Sequence, residues 1–587
     1  MREKIYLLSV LLAVGVAVTA TDSVMIFNDL NYCQIQETRL GPIPAAVKML
    51  CENCPGGHHV VWIVEKDGKL QVVFDGQAGP FYEDIGKILL DFYNRNLYPM
   101  QTVIQFSSDG RHWAYTAQRA GKWRVVFDGR EGPETDGIHT ITFSPDGRHI
   151  AYQAKFGKQC AVVWDGRIGP PGDRISFSSG PFGRGSPFSP DSRHLAYTMI
   201  RGKMATVVFD GRPGPDFSRI LSGSLVFSPD SLHLVYAAEL IGQWGWVENG
   251  RLIGMYDAPA KGFPVFSPDS RHLAHLVKTG GMMRLILDGK PFGPALSETS
   301  EGTCGSSAFD WRTLSPVFSP DGNRIAYAAC DANRKSVVVV DGVPGPAFSA
   351  VRNASIKFSP DSRHVYYAAS DKTPNWFCTK DGVVIGATKG VSMPVFSPDG
   401  RRSALVTKTG DRKYRVLADD RLEPEFSFLL DPPRFSKNGK WLAYRILIED
   451  DRSHRIWTVL NDQLVGESWN HSEDDCPVCF SPDGERVAYE VRPQGMHAFV
   501  VTDGVPGPDF AFIQSLQFSP DGSHVVYVGW GHGINGQTKK YLVIDGVKVG
   551  DYEFFGKQPL SFNTDGKLEF LAQRDRQLYR ITVDLLK

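Results

Sequence analysis

Fifteen histidines and nine cysteines are the side chains of this 587-residue chain best suited to catalysis or metal binding. Their spacing assigns most of them to another task. Eight histidines (His59, His112, His149, His194, His233, His272, His364 and His524) occupy one position of a repeating string, just after a turn. A residue that recurs in most copies of a repeat serves the fold rather than one active site, so the set reads as a contact to a nearby turn. His275 stands where other copies carry tyrosine and reads as a tolerated replacement. Cys51/Cys54 and Cys476/Cys479 are closely spaced, but neither pair precedes a histidine, which removes covalent haem attachment. A four-thiolate metal site would need the two distant pairs to meet, so local disulfides or buried thiols are the readings. The acidic run Glu473-Asp474-Asp475 near His471 could offer oxygen ligands to a cation such as calcium, or could be a solvated loop. No metal or cofactor is assigned.

Linear catalytic motifs are missing. There is no Gly-x-Ser-x-Gly elbow, no His-Glu-x-x-His pair and no glycine-rich phosphate loop ahead of a helix. A site assembled from scattered strand ends would leave no such motif, so an enzyme or carbohydrate-binding protein stays open as the alternative reading.

The elements that position these residues are repeats. Phe-Ser-Pro-Asp-Gly-Arg-His-Ile-Ala-Tyr begins at Phe143, and versions begin at Phe106, Phe188, Phe227, Phe266, Phe318, Phe358, Phe396, Phe435, Phe480, Phe518 and Phe562. A degraded copy surrounds Pro55 to His59, which makes thirteen units at a period near forty. About twenty residues into each unit comes a second string, such as VVFDGRPGP from Val207 or VVVDGVPGP from Val338. In Ser-Pro-Asp-Gly, proline presets the first corner of a type I turn, and glycine takes the left-handed position without steric cost. Ser192, Ser231, Ser270 and Ser362 replace that glycine, at an expected cost of about 1–2 kcal/mol each. Tyrosine recurs nine positions after the leading phenylalanine, as expected of a packing layer between sheets. Each unit therefore reads as four short strands joined by tight turns.

Units of this kind cannot bury both sheet faces alone and stack radially as propeller blades. The Ser-Pro-Asp-Gly hairpin followed by an apolar-Ala-Tyr run resembles the WD-repeat-like module of TolB-type periplasmic propellers. That resemblance covers nearly all of the chain and implies the fold; the Val-Asp-Gly-x-x-Gly-Pro string departs from the TolB pattern.

The expected fold is all-β: tandem propellers of four-stranded antiparallel blades, thirteen to fourteen in total. Rings usually hold four to eight blades, and the longest interruption falls at 295–315. This predicts one propeller over 21–300 and a second over 301–587. Seven plus seven results if residues 24–47 start a further blade; six plus seven results if the N-terminal strand completes the last one. Arg2 and Lys4, the apolar run from Ile5 to Val18, and Val18-Thr19-Ala20 read as a secretory signal peptide over 1–20. The protein is then expected to be periplasmic or secreted, with no membrane span once the peptide is cleaved. A formal charge of −1 provides no basic field, so nucleic acid is not an expected partner. The functional expectation is a non-catalytic scaffold for an unidentified protein partner in the cell envelope. Its binding face is placed on the irregular loops opposite the repeated turns, near Trp311, Trp469, His471 and Trp530, because variable loops carry recognition and aromatic residues anchor interfaces.

Overall fold

The computed structural model describes all residues except 1–22, 27–32, 43–46, 52–58, 90–96, 100–103, 178–185, 260–262, 297–314, 353–354, 373–374, 389, 411, 420, 451–452, 469–477, 494–496, 533–537, 555–559, 564 and 586–587. The proposed signal peptide lies outside the described residues, as does most of the interruption at 295–315. No described helix is long and apolar enough to cross a membrane.

Each unit folds as the turn chemistry requires. In blade 3, the strands Gly137–Phe143, Ile150–Phe156, Gln159–Trp164 and Arg167–Ile168 pair in antiparallel order. The Ser-Pro-Asp-Gly turn joins the first strand to the second. Gly147 N–H donates to the Ser144 carbonyl at 2.9 Å, and Gly147 has φ 75°. Ser144 Oγ donates to Asp146 Oδ1 at 2.5 Å, and Asp146 Oδ1 also accepts the Arg148 N–H at 3.0 Å. The Asp-Gly turn joins the third strand to the fourth with two consecutive positive φ values, 46° at Asp165 and 80° at Gly166. That is the type I′ geometry whose twist suits a two-residue hairpin.

Among the described residues there are thirteen sheets of four or more strands and one two-stranded ribbon, Lys87–Leu89 with Leu97–Pro99. We number the thirteen as blades in chain order, from blade 1 (47–82) to blade 13 (553–585). First strands of neighbouring blades touch, as Val265–Phe266 does with Val317–Phe318, which sets them at the inside of the ring. Blade 13 is completed from the other end of the chain. Cys33–Pro42 pairs with Gln577–Leu585 as its fourth strand, and Ser23–Ile26 adds a fifth.

The expectation of two rings is corrected here: the thirteen blades form one closed propeller. Every consecutive pair of blades shares an apolar layer, and blade 13 shares one with blade 1 through Leu571, Leu578, Val60 and Trp62. At the seam between blades 6 and 7, where the chain was expected to divide, Leu276, Met283 and Leu285 pack against Ile325, Tyr327 and Val337 as at any other seam. A long inserted segment reads as a linker in sequence, but it ends nothing while the sheets on either side of it bury each other's faces. The N-terminal strand does complete the last unit, as the six-plus-seven alternative had it, but it closes the single ring. Arg580 and Asp75 form an ion pair of 2.8 Å across that closing seam.

The repeated residues build the seams. In seven of the eight units with the recurring histidine, its Nδ1 lies 2.6–2.8 Å from Oδ2 of the Asp-Gly aspartate. Oδ1 of the same aspartate accepts the backbone N–H that follows the histidine, at 3.0 Å for Ile150 onto Asp165. His233 pairs with Glu248 instead, at 2.8 Å. Three units use arginine, and it reaches further. Arg324, Arg402 and Arg486 bind their own aspartates and also donate to carbonyls in the next blade's turn.

The four serines at the glycine position have φ of 62–67°. Each accepts, at 2.9–3.1 Å where the bond forms, the aspartate N–H of the preceding blade's turn: Asp146 to Ser192, Asp191 to Ser231, Asp230 to Ser270 and Asp321 to Ser362. The left-handed strain is thus offset by a bond between blades worth about 0.5–1.5 kcal/mol. The recurring tyrosine and the glycine of Gly-Pro are partners as well. A Cβ on Gly132 would lie 2.8 Å from the Tyr152 hydroxyl of the next blade, and a Cβ on Gly169 equally close to that of Tyr197.

Candidate functional site

Three cavities open at successive seams, all on the face that carries the two sets of turns. The first, about 420 Å³, lies between blades 3 and 4. Trp164, Arg167 and Ile168 form one wall; Leu195 and Asp210 form the other. The second, about 390 Å³, lies between blades 4 and 5, with Phe209, Arg212 and Pro215 facing Leu232 and Leu234. The third, about 880 Å³, lies between blades 5 and 6 and is the most polar. Glu248, Arg251 and Leu252 face Arg271, His272 and Asp288 there.

Their likeness follows from the repeat. The third strand ends beside the Asp-Gly turn, and the next residue is Arg167, Arg212 or Arg251. A two-residue turn projects that side chain from the rim of each cleft. All three arginines are exposed, and among the described residues none has a carboxylate partner. Arg130 in blade 2 and Lys290 in blade 6 occupy the same register and are likewise exposed and unpaired. Apolar side chains stand open beside the cations: Ile168 is 53% exposed and Leu232 is 72% exposed. The turn carboxylates are engaged by their own turns. Asp191 and Asp230 are held below the usual carboxylate range chiefly by the hydroxyls of Ser189 and Ser228. The clefts thus offer free guanidinium groups next to apolar grooves, suited to a chain bearing both carboxylates and apolar side chains.

At the same register the other half of the ring changes character. Blades 7, 8, 11 and 12 place Val343, Val383, Val505 and Val547 there, each exposed. Blade 9 carries the exposed Arg421 at this register, with no cation there in blades 8 or 10 beside it, so the unbroken cationic arc belongs to blades 2–6.

Of the residues singled out from sequence for binding, Trp311, Trp469 and His471 lie outside the described residues. Trp530 is half-buried in the strand Val525–His532. Its ring packs edge-on against Phe512 at 5.6 Å, Lys540 Nζ sits 4.2 Å from its centroid, and its indole N–H has no acceptor among the described residues. The residues that line the three clefts were missed because they belong to the most regular part of the repeat, whereas recognition was sought in irregular loops. Their signal was present in the sequence: arginine or lysine follows Asp-Gly in blades 2 to 4 and blade 6, and follows Asn-Gly in blade 5.

Among the described residues no three His, Cys, Asp or Glu side chains converge as a metal site; Glu473, Asp474 and Asp475 lie outside them. Cys33, Cys160 and Cys378 are buried thiols, and burial pushes Cys378 up to about 12. Cys479 Sγ lies 3.0 Å from the Leu516 carbonyl.

No protein-family model matches the chain, and no curated protein matches it significantly. The TolB-type resemblance of the hairpins therefore rests on the motif residues. Solved structures similar to parts of the chain include a eukaryotic initiation factor, at 12% identity over 61% of this chain and 97% of that one, TM-score 0.28. TolB from Acinetobacter baumannii matches at 14% identity over 46% of this chain and 79% of its own, TM-score 0.20. The Dos1 propeller matches at 12% over 63% and 92%, TM-score 0.25.

Proposed function

We propose that this chain is an exported, non-catalytic scaffold that holds a protein partner on the turn face of blades 3–6. The partner contributes an extended segment whose acidic and apolar side chains follow one another across the three clefts. The observation that carries this reading is the repetition itself: three successive seams each present an unpaired arginine beside an open cavity. A rigid row of like sites one blade apart suits a linear ligand that engages several at once, since linked contacts raise affinity beyond any single one. Export is supported by Arg2, Lys4 and the apolar run after them.

The test combines partner capture with charge reversal. The full chain is used to recover partners from envelope extract, beside a variant with Arg167, Arg212 and Arg251 all changed to Glu. A stoichiometric protein held by the wild type and released at least tenfold by the triple variant is the expected result. Retention of that partner by the variant would overturn the placement of the site. Recovery of a polysaccharide instead of a protein would overturn the scaffold reading.

A further inference from the structure

The seam between blades 9 and 10 departs from the others at one pair of positions. Most seams carry glycine at both positions, one in the Gly-Pro string of one blade and one in the Asp-Gly turn of the next. Between blades 6 and 7 these are Gly293 and Gly342, so close that a Cβ on Gly293 would lie 3.1 Å from the Gly342 Cα. Between blades 9 and 10 both are replaced, by Glu423 and Asp462.

The backbone confirms the register. Glu423 N–H donates to the Val416 carbonyl at 2.8 Å, as Gly345 N–H does to Val338 at 2.9 Å. Asp462, with φ 72°, follows Asn461 at 42°, as Gly342 at 80° follows Asp341 at 51°. Two carboxyl groups therefore stand where most seams carry two hydrogens. Glu423 is 7% exposed, and its carboxyl is within hydrogen-bonding reach of Asp462. Blade 10 also presents the buried Tyr444 ring to this point, and Arg421, two residues before Glu423, is a cation that acts on it. Neighbouring carboxylates in such a place share a proton, because the doubly ionised state has little to offset its repulsion.

We propose that Glu423 and Asp462 form a proton-bridged latch that holds the blade 9–10 seam in acid and releases it as the pH rises through neutrality. Burial, then the Asp462 charge, pushes the Glu423 carboxyl up to about 7. When the seam opens, that carboxyl returns towards its ordinary value near 4.5. Between those two values the closed seam binds a proton that the open seam does not. Stabilisation is therefore complete below the lower value and lost as the pH climbs through the upper one. No other seam described carries carboxyl groups at both positions, so the effect is confined to this one.

Hydrogen exchange of the intact protein tests this, read on the flanking strands Lys413–Ala418 and Leu442–Asp450 and corrected for intrinsic rates. One titrating proton predicts a roughly tenfold loss of protection there between about pH 6 and about pH 8, with the seam between blades 3 and 4 unaffected. Asp462→Gly, which restores the residue of other turns, and Glu423→Gln should each abolish this pH dependence. An unchanged pH dependence in Glu423→Gln, or none in the wild type, would overturn the latch. So would protection of the wild type by millimolar calcium at alkaline pH, since the pair would then hold a metal ion in place of the proton.

Discussion

At the scale of single residues, His275 shows what one replacement in a repeat requires. It stands in the tyrosine position of blade 6, 1% exposed, its ring 4.9 Å from Trp246 and 5.9 Å from Tyr256. The hydroxyl that the missing tyrosine would have brought to blade 5 is replaced from within blade 5: a Cβ on Gly254 would lie 2.5 Å from the Tyr256 hydroxyl. Blade 13 repeats the device, with Phe570 in the tyrosine position and Tyr552 filling the space beside Gly550. Among the described residues neither His275 ring nitrogen has a partner, and burial pushes its pKa down to about 3. The unfolded imidazole takes up a proton near pH 6.5, which the folded one refuses. Its contribution to stability is therefore whole above that pH and falls as the pH drops towards the folded value. The expected loss at about pH 5 is about 2 kcal/mol. His275→Phe should flatten the acid side of a denaturant-midpoint profile by that amount; an unchanged profile would show that the imidazole is protonated in place. In sequence the replacement was legible, but the compensation by Tyr256 was not, because it lies on another strand of the neighbouring sheet.

At the scale of elements, the repeat was read as two separate strings, and the seams show why they travel together. The histidine of the first string was legible as a fold residue, but its partner aspartate lies sixteen or more residues on, in the second string. The serines in left-handed turns looked like a tolerated cost because the bonds they accept come from the previous unit. The tyrosine layer was legible from its register. The glycine that makes room for it was not, since Gly-Pro reads as turn punctuation. Gly132 and Tyr152 should accordingly behave as a coupled pair. Gly132→Ala would set a methyl 2.8 Å from the Tyr152 hydroxyl and 3.2 Å from the Val125 carbonyl, with an expected cost of about 1–3 kcal/mol. Tyr152→Phe removes a buried hydroxyl that has no partner among the described residues and should cost little. In the double variant most of the alanine's cost should vanish; simple additivity in thermal or chemical unfolding would mean that the contact does not set the seam.

At the scale of the whole molecule, the number of blades was legible and their closure was not. Counting strings gives thirteen, and thirteen blades are found. Whether they close once or twice depends on the turn from each blade to the next, roughly 28° in a ring of thirteen against about 45–90° in rings of eight to four. That small difference is spread over many contacts in each seam and leaves no mark at any one residue. The ring is held shut by seam layers of one kind throughout and by Cys33–Pro42, which ties the start of the chain to its end. The cationic clefts of blades 3–6 and the carboxyl pair of blades 9 and 10 lie on separate arcs of it, so a partner on one leaves the other free.

Electron cryomicroscopy of the purified protein tests the closed ring most directly. Thirteen blades around one axis, with blade 6 seated on blade 7 and the N-terminal strand inside blade 13, is the predicted density. Two smaller rings, with the chain crossing between them near residue 300, would contradict it.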